Sequence, residues 1–254
     1  MEFSNSIKKF LTKKNFTLVH LDSVTSTMSE IKNYLDGEKN ICMIADQQTE
    51  GVGRRGNKWV SPKGNIYITF LFKYNLSIEQ HFLLSAVTAN SISDLIKRYV
   101  KEKINIKWPN DILVNNNKIA GIMTEIVELN NIRYILIGAG INISSSPKIY
   151  EYPTCCLNDY EVNIKYEEFL FEMIKSYFDE YEMIIHKKYN QVLEKFRKRM
   201  MFLGSYVDIL FPDGSLQNLY LKDINYDGSL LVDNKGIDEK IFSARIISDI
   251  NRYR

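Results

Sequence analysis

The sequence predicts an α+β protein in which a mixed sheet flanked by helices precedes a small β-barrel. Strand-like runs and helical stretches succeed one another up to Gly204, and several of the runs are joined by short turns. Such a pattern is typical of a sheet covered by a layer of helices. After Gly204 only short strand-like runs remain, divided by turn sequences, which favours a small all-β unit.

Composition bounds the class of protein. The chain has 254 residues, of which 45% are hydrophobic, enough for one large domain or for a large and a small one. Its 33 Lys and Arg residues nearly balance its 31 Asp and Glu residues, which argues against a dedicated nucleic-acid binder. No run approaches the ~20 apolar residues of a membrane span, and Met1–Leu11 lacks the apolar core of a signal peptide.

Cysteine and histidine usage predicts neither a disulfide framework nor a metal centre. The cysteines have no zinc-site spacing and are odd in number: Cys42, Cys155 and Cys156. A reducing compartment, the cytoplasm, is therefore expected. The histidines lie far apart in sequence, and we expect surface or packing roles for them: His20, His81 and His186.

Apolar periodicity predicts three helical stretches, of which the last is long enough for two helices or a bend: Met28–Leu35, His81–Val100 and Tyr166 to about Met200. Thr27 and Glu30 form a capping box before the first stretch, and Gly37 is its expected stop. The strand-like runs before Gly204 are Ile41–Ala45, Asn65–Phe72, Ile104–Trp108, Ile112–Val114, Ile119–Leu129 and Tyr134–Ile143.

A domain boundary is expected at Gly204. Three strong turn sequences divide the segment that follows: Pro212-Asp213-Gly214, Tyr226-Asp227-Gly228 and Asn234-Lys235-Gly236. A β-barrel of about 50 residues is near the lower size limit of an independent domain. We therefore expect one domain over residues 1–203 and a second over residues 204–254.

A glycine- and arginine-rich loop follows the run Ile41–Ala45. From Gly51 to Asn65 it reads GVGRRGNKWVSPKGN. Glycines let a backbone approach a ligand closely, and clustered cations suit a phosphate or a carboxylate. The loop is therefore expected to fold over an anionic ligand, with a solvated basic turn as the alternative that these residues alone leave open.

The same loop satisfies the dinucleotide fingerprint G-x-G-x-x-G between Gly51 and Gly56. That fingerprint requires a helix to begin at the loop, so that the helix N-terminus holds the pyrophosphate. Here Pro62, Gly64 and a strand-like run follow instead. We therefore set dinucleotide binding aside.

A second group of residues follows the second helical stretch, in the segment from Lys107 to Asp111, KWPND. Strand alternation places Ile106 and Trp108 on one face and Lys107 on the other. A lysine on that face at a strand end points either into a cleft or into solvent, and most lysines are exposed. The residues alone leave both alternatives open.

Glycines interrupt two of the predicted strands, at Gly121 and at Gly138 and Gly140. A glycine weakens a strand unless something must approach its backbone. The sheet is therefore expected to form the floor of a ligand site here, with a bulge or close strand packing as the alternative.

Taken in order, the segments GVGRRGNKWVSPKGN, KWPNDILVNNNKIAGIMTE and GAGIN resemble the motifs of the biotin protein ligases. The resemblance covers essentially the whole chain. It implies a catalytic domain related to class II aminoacyl-tRNA synthetases, followed by an SH3-like domain. It also implies an AMP-forming reaction, in which biotin and Mg²⁺-bound ATP give biotinyl-5′-AMP, and a lysine of a biotin carboxyl carrier domain then receives the biotin.

The resemblance implies roles for individual residues. Ser26, Thr27 and Gln48 are expected to hydrogen-bond the biotin ureido group, while Gly53 and Arg54 close over biotin. Lys107 is expected beside the biotin carboxylate and the α-phosphate, where it and Arg54 act as catalytic residues. The nucleotide-binding residues implied are Arg55, Trp59, Lys118 and Asn142, and Asn142 is also the implied neighbour of the Mg²⁺.

Two departures from the family pattern bear on these expectations. Val52 stands where the family's loop, usually G-R-G-R-R-G, has its first arginine, so a ligand contact at that position is in doubt. The Ser23–Thr27 segment begins too early for a preceding helix-turn-helix domain like that of the repressor relatives. No nucleic-acid partner and no membrane partner are therefore expected.

Two other functions compete with this one. A lipoate-type ligase has the same fold and adenylation chemistry, but its loop pattern R-R-x-x-G-G-G is not found here. A non-catalytic module that binds biotinyl-adenylate is the second, and the presence of Lys107 and Arg54 counts against it. The oligomeric state stays open, with a homodimer through an exposed sheet edge as one alternative.

Overall fold

The computed structural model describes residues 5–35, 39–73, 76–77, 80–149 and 152–247. Its helices are α1 (Asn5–Lys13), α2 (Thr27–Glu30), α3 (Phe82–Ile96), α4 (Tyr166–Ile185) and α5 (Tyr189–Arg199). Its strands are β1 (Phe16–Leu21), β2 (Asn40–Ala45), β3 (Ile66–Lys73), β4 (Ile104–Lys107), β5 (Asp111–Val114), β6 (Asn117–Leu129), β7 (Ile132–Ile141), β8 (Ser205–Leu210), β9 (Leu216–Ile224), β10 (Leu230–Asn234), β11 (Ile237–Ile241) and β12 (Arg245–Ile247).

The first seven strands form one mixed sheet in the order β1-β2-β3-β7-β6-β5-β4. β1 pairs with β2 in parallel, and the remaining neighbours pair antiparallel. The glycine- and arginine-rich loop joins β2 to β3, which are antiparallel neighbours, and no long helix begins at it. This geometry agrees with setting the dinucleotide fingerprint aside, because that fingerprint belongs to a parallel strand–helix–strand unit.

The two faces of this sheet differ in what covers them. On one face the side chains of β3 and β7 alternate into the main core with the helices, as Phe70 and Ile137 do. On the other face Met28, Leu71 and Leu136 form a smaller cluster with the short helix α2. Because side chains alternate along a strand, Gly138 and Gly140 lie on this second face, which is left open to form a cavity.

Residues 205–247 form a five-stranded antiparallel sheet in the order β11-β10-β9-β8-β12. The prediction of an all-β segment after Gly204 is confirmed. Its closure into a barrel is wrong for the described residues, since no ladder between them joins the edge strands β11 and β12. Over the described residues β12 spans Arg245–Ile247 and pairs with β8.

The helix predictions hold in outline and differ in detail. The second stretch is α3, and the third divides into α4 and α5 as predicted. The first stretch is only one turn of α-helix, α2, continued by a 3₁₀ turn over Ile31–Tyr34. The capping box is wrong, because Ser26 is the N-cap and its side chain makes no capping hydrogen bond. Gly37 lies outside the described residues.

Two elements near the start of the chain are missing from the sequence prediction. Helix α1 has nine residues and strand β1 has six, and each buries few side chains, such as Ile7, Leu11 and Phe16. Within the described ranges, none of the helices combines the length and apolar character needed to cross a bilayer. The three cysteines are buried free thiols.

The aromatic cluster between the sheet and α4 is expected to dominate the stability of the main core. Phe70 is 1% exposed and stacks on Tyr177 with ring centroids 4.3 Å apart. We predict that Phe70→Ala lowers the free energy of unfolding by about 3–5 kcal/mol, because it removes a buried ring and leaves a cavity. Urea denaturation measures this. Ile185→Ala, at a side chain that is 56% exposed, is the control, and equal losses in both variants would contradict the prediction.

Candidate functional site

A cavity of about 800 Å³ opens on the second face of the large sheet and extends to the C-terminal sheet. This volume is in the range of pockets that hold small molecules. Nearly all the residues predicted from the sequence line it together: Ser26, Thr27, Gln48, Gly53, Arg54, Arg55, Trp59, Lys107 and Lys118. They come from five separate stretches of the chain that the fold brings to one cavity, and their roles toward a ligand stay predictions.

The floor of the cavity is built from glycines and one indole. Gly121 and Gly140 are directly paired in β6 and β7, and the Trp59 ring lies on both of them. A Cβ at Gly140 would collide with Trp59 Nε1, and one at Gly121 would lie 3.1 Å from its Cζ3. The strand glycines therefore do admit a close neighbour, and that neighbour is a side chain of the glycine- and arginine-rich loop.

One end of the cavity is polar and uncharged. Gln48 Oε1 accepts hydrogen bonds from the Thr27 backbone N–H at 2.8 Å and from Thr27 Oγ1 at 3.1 Å. Gln48 Nε2 in turn donates to Ser61 Oγ at 2.8 Å. Ser26 Oγ is buried and has no hydrogen-bond partner among the described residues. A buried hydroxyl without a partner costs free energy, so this end of the cavity is prepared for a polar ligand.

The other end of the cavity holds three cations around one carboxylate. Lys118 Nζ lies 2.9 Å from Asp111 Oδ1, and it also stands 5.1 Å from the Trp59 ring centre and 5.3 Å from that of Tyr152. Arg54 Nη1 donates to Asn110 Oδ1 at 3.4 Å. Such a concentration of positive charge in a partly enclosed space favours an anionic ligand.

Burial lowers the pKa of two of these cations, Lys107 and Arg54. It lowers the pKa of Lys107 below its ordinary value; Asp111 opposes that change and Lys118 adds to it. The pKa of Arg54 is lowered for the same reason, with Arg55 adding to the effect and Asp111 opposing it. Asp111 therefore stabilises the charged forms of both residues, since an opposite charge nearby favours ionisation.

The loop itself is ordered by contacts at both ends. Gly51 packs so closely against Ser61 and Gln48 that an added Cβ would lie 2.6 Å and 2.8 Å from their side chains. Arg55 adopts a left-handed backbone conformation and donates to Ser243 Oγ at 2.8 Å, in the C-terminal segment. These contacts tie the loop to the sheet and to the C-terminal segment, while residues 55–58 are exposed, and its closure over a ligand stays a prediction. Val52 lines the cavity with a side chain that is 41% exposed, so the missing arginine is a change on the ligand-facing surface.

Asn142 is the predicted site residue that does not line the cavity. It is 1% exposed, and its Nδ2 donates to the Cys155 carbonyl at 3.0 Å. Its Oδ1 is buried without a partner among the described residues. Its role toward nucleotide or metal stays a prediction.

Sequence reasoning missed several residues of the site. Asp111, Asn110 and Tyr152 line the cavity, and Ser61 holds Gln48 in place. Asn110 and Asp111 lie within the KWPND segment, so that motif is the signal that could have identified them. No sequence pattern marks Tyr152 as a site residue. It reaches the site because the neighbouring Pro153 carbonyl accepts a hydrogen bond from the Lys118 backbone N–H.

A separate polar cluster lies at the ends of the two parallel strands. His20 Nε2 is 2.8 Å from Asp46 Oδ1, and Asp22 contributes a carboxylate oxygen within 4.8 Å of both. The packing role predicted for His20 therefore includes a carboxylate partner. None of these residues lines the cavity.

Comparison with known proteins finds similarity over part of the chain. Residues 19–142 match the model of the biotin/lipoate A/B protein ligase family. The curated relatives of the chain include bifunctional ligase/repressors and biotin protein ligases. The bifunctional ligase/repressor BirA of Bacillus subtilis is 32% identical over 129 residues, which are 50% of this chain and 39% of the relative. BirA of Escherichia coli is 26% identical over 199 residues, 76% of this chain and 62% of the relative.

Solved structures agree on the fold. The biotin protein ligase of Aquifex aeolicus in complex with biotin and ATP superposes with a TM-score of 0.74 at 23% identity, covering 91% of this chain and 97% of that one. The Leishmania major enzyme with biotinyl-5-AMP gives 0.57 at 25% identity, covering 89% and 98%. The chain spans 39% and 62% of the length of the two curated BirA relatives.

The contact of Trp59 with the strand glycines generates a stability prediction. Gly140→Ala is expected to cost about 1–3 kcal/mol, because the added methyl group overpacks the indole. The cost should shrink in a Trp59→Phe background, where a smaller ring leaves room. Denaturant unfolding of the four proteins of this double-mutant cycle measures the coupling. Additive losses would show that the methyl group acts elsewhere.

The position of Asp111 generates a prediction on ionisation. Asp111→Asn removes the charge that raises the pKa of Lys107, so burial and Lys118 act unopposed. We expect Lys107 in this variant to lose its proton at a lower pH than in the unaltered protein. NMR titration of isotope-labelled lysine side chains measures the midpoint. Asp238→Asn, an exposed carboxylate paired with Lys222, is the control; an unchanged or higher Lys107 midpoint in Asp111→Asn would contradict the prediction.

Proposed function

We propose that the protein is a biotin protein ligase that activates biotin with Mg²⁺-bound ATP to biotinyl-5′-AMP and transfers biotin to a lysine of a biotin carboxyl carrier domain. One observation carries this proposal: a single cavity has an uncharged polar end and a cationic end. Biotin has the matching distribution, with a neutral ureido group at one end and a carboxylate at the other. The names of the relatives and structural neighbours support the same assignment.

At the polar end, the ureido group offers one carbonyl acceptor and two N–H donors. Ser26 Oγ, which lacks a partner among the described residues, is proposed to take one of these hydrogen bonds. Thr27 and Gln48 are held in place by their mutual hydrogen bond and are proposed to complete the set. Fixed donors and acceptors bind a polar ligand at little entropic cost, because they are ordered beforehand.

At the cationic end, two anions must meet. In the first step an oxygen of the biotin carboxylate attacks the α-phosphorus, a C–O–P anhydride forms, and the bond to the leaving pyrophosphate breaks. Lys107 and Arg54 are proposed to neutralise the charge that the two anions bring together. Positioning and charge neutralisation are then the catalytic contribution, and no protein nucleophile is required.

In the second step the acceptor amine attacks the acyl carbon of the adenylate. An amide bond forms, the bond from the acyl carbon to the phosphate oxygen breaks, AMP leaves, and the proton of the amine passes to solvent. Gly53 and Arg54 on the loop are proposed to retain the adenylate until the amine arrives. Loss of the adenylate to water would otherwise waste the ATP.

The nucleotide is assigned to the part of the cavity near Trp59, Lys118 and Arg55. Trp59 and Tyr152 offer aromatic faces on either side of Lys118, which suits a purine ring and its phosphates. Mg²⁺ enters as part of the ATP substrate. Asn142 is proposed as a neighbour of the Mg²⁺ on the pyrophosphate side of the site. Its side chain does not line the cavity.

The same proposal includes the organisation and setting of the protein. Residues 1–203 form the catalytic domain and residues 204–254 the C-terminal domain. The three free thiols support a cytoplasmic location. The nearly balanced charge, 33 basic against 31 acidic residues, supports the absence of a nucleic-acid partner.

The decisive test is ATP–pyrophosphate exchange with purified protein and Mg²⁺, comparing biotin with lipoate. Exchange that depends on biotin is expected. Exchange with lipoate alone would assign the protein to the lipoate-type ligases. Binding of chemically prepared biotinyl-5′-AMP without exchange would favour the non-catalytic module.

Lys107 carries the catalytic prediction. Lys107→Ala is expected to slow biotin-dependent exchange by about 10²–10³-fold, because a preorganised charge at the reacting atoms is lost. Biotin affinity should fall less than the rate. Lys103→Ala is the matched control, since Lys103 is exposed and lies next to the same strand. An unchanged exchange rate in Lys107→Ala would remove this lysine from the mechanism.

A further inference from the structure

A second, smaller cavity adjoins the first one at Arg54. Its volume is about 120 Å³, and the residues that matter here are Arg54, His81, Trp108, Asn110, Asp227 and Phe242. The two cavities adjoin at the residues that line both of them: Arg54, Trp108, Pro109, Asn110 and Ile122. The second cavity therefore leads from the C-terminal sheet to the proposed catalytic arginine.

The volume of the second cavity limits what can occupy it. Pockets for small-molecule ligands are typically about 300–1,000 Å³. The first cavity, at about 800 Å³, is of that size, while 120 Å³ suits one slender side chain. Both substrates of the proposed first step therefore belong to the first cavity, and the second is left for the group that arrives afterwards.

The C-terminal sheet contributes a negative charge to the second cavity. Asp227 comes from the Tyr226-Asp227-Gly228 turn of the C-terminal sheet. Ser229 donates from its backbone N–H, at 2.9 Å, and from its hydroxyl to Asp227 Oδ1. These bonds, with Lys240, lower the pKa of Asp227 although burial opposes them, so the carboxylate is charged at neutral pH.

The second carboxylate oxygen of Asp227 already has a primary ammonium group as its partner. Lys240 Nζ lies 3.4 Å from Asp227 Oδ2, and the Lys240 side chain is 53% exposed. A long contact to an exposed lysine is weak and exchangeable, because solvent screens it and the side chain is free to move. Another primary ammonium group can therefore replace Lys240 at this oxygen.

Resting on the proposed function, we infer that this second cavity admits the acceptor lysine, and that Asp227 is a positioning residue that binds its ammonium group at the entrance. Phe242, 65% exposed, lies at the same cavity and offers an apolar contact for the protein that carries the lysine. To react, the ammonium group leaves Asp227 and moves toward Arg54. The positive charge there disfavours the ammonium form, so the group gives its proton to solvent and becomes the neutral amine that the transfer step requires.

The test compares two turns that share one geometry. In Asp213, as in Asp227, Oδ1 accepts hydrogen bonds from the backbone and hydroxyl of a serine two residues later. Asp213 does not line either cavity. Asp213→Asn therefore controls for damage to the turn, while Asp227→Asn removes the charge at the entrance.

The readouts separate the steps. Asp227→Asn should lower kcat/KM for transfer to a biotin carboxyl carrier domain at least tenfold, mainly through KM, with biotin-dependent exchange unchanged. Transfer to hydroxylamine, a small neutral nucleophile, should also be unchanged. Equal transfer to the carrier by both variants would overturn the inference, as would an equal loss with hydroxylamine. Absence of exchange in the unaltered protein would instead overturn the proposed function.

A binding measurement tests the cavity without turnover. The Trp108 indole N–H donates to the Gly228 carbonyl at 2.8 Å and thus reports on the second cavity. Titration with n-butylammonium should shift its NMR signal in the unaltered protein and in Asp213→Asn, but not in Asp227→Asn or Asp227→Ser. The serine variant keeps an acceptor for the turn. The same shift in all four proteins, or in none, would overturn the assignment of the cavity to an ammonium group.

Discussion

The packing of the Trp59 ring on Gly121 and Gly140 is the contact on which the rest of the site depends. Any side chain at either position would push the indole away from the sheet. The indole in turn carries the loop that bears Arg54 and Arg55, and it gives Lys118 an aromatic face. Gly121 and Gly140 thereby let the indole hold the glycine- and arginine-rich loop against the sheet. The two glycines weaken their strands, and this is the stability cost of forming the site on a sheet.

The cations of the cavity are arranged around one carboxylate, that of Asp111. Three cations brought together would repel one another, and their burial makes the charged forms still more costly. Asp111 offsets this in two ways, by its ion pair with Lys118 and by its effect on the pKa of Lys107 and Arg54. The carboxylate thus favours the charged forms of Lys107 and Arg54, which is a physical reason for an acidic residue among these cations.

The sequence predicts the sheet, the two long helical regions and most of the cavity, because these have strong local signals. Periodicity marks α3 and α4, and glycines within strands mark the floor. The first helix and strand are missed because α1 and β1 are short and their aromatic side chains pack on a distant element, as Phe10 and Phe16 do on Phe178 of α4. Asn142 shows the same limit: strand alternation alone would place it on the face of Gly138 and Gly140, but β7 ends at Ile141 and the Asn142 side chain donates to the Cys155 carbonyl instead.

The C-terminal sheet completes the site rather than merely following it. Arg55 hydrogen-bonds Ser243, Trp108 hydrogen-bonds the Gly228 carbonyl, and both donors stand next to a proposed catalytic residue, Arg54 or Lys107. Movement of this sheet relative to the large one would therefore move both of these residues together, since each is tied to it through its neighbour in sequence. A partner docked on the C-terminal sheet would contact the same framework that positions Arg54 and Lys107. Under the proposed function, this arrangement links arrival of the acceptor to the geometry of the site without requiring any separate signalling element.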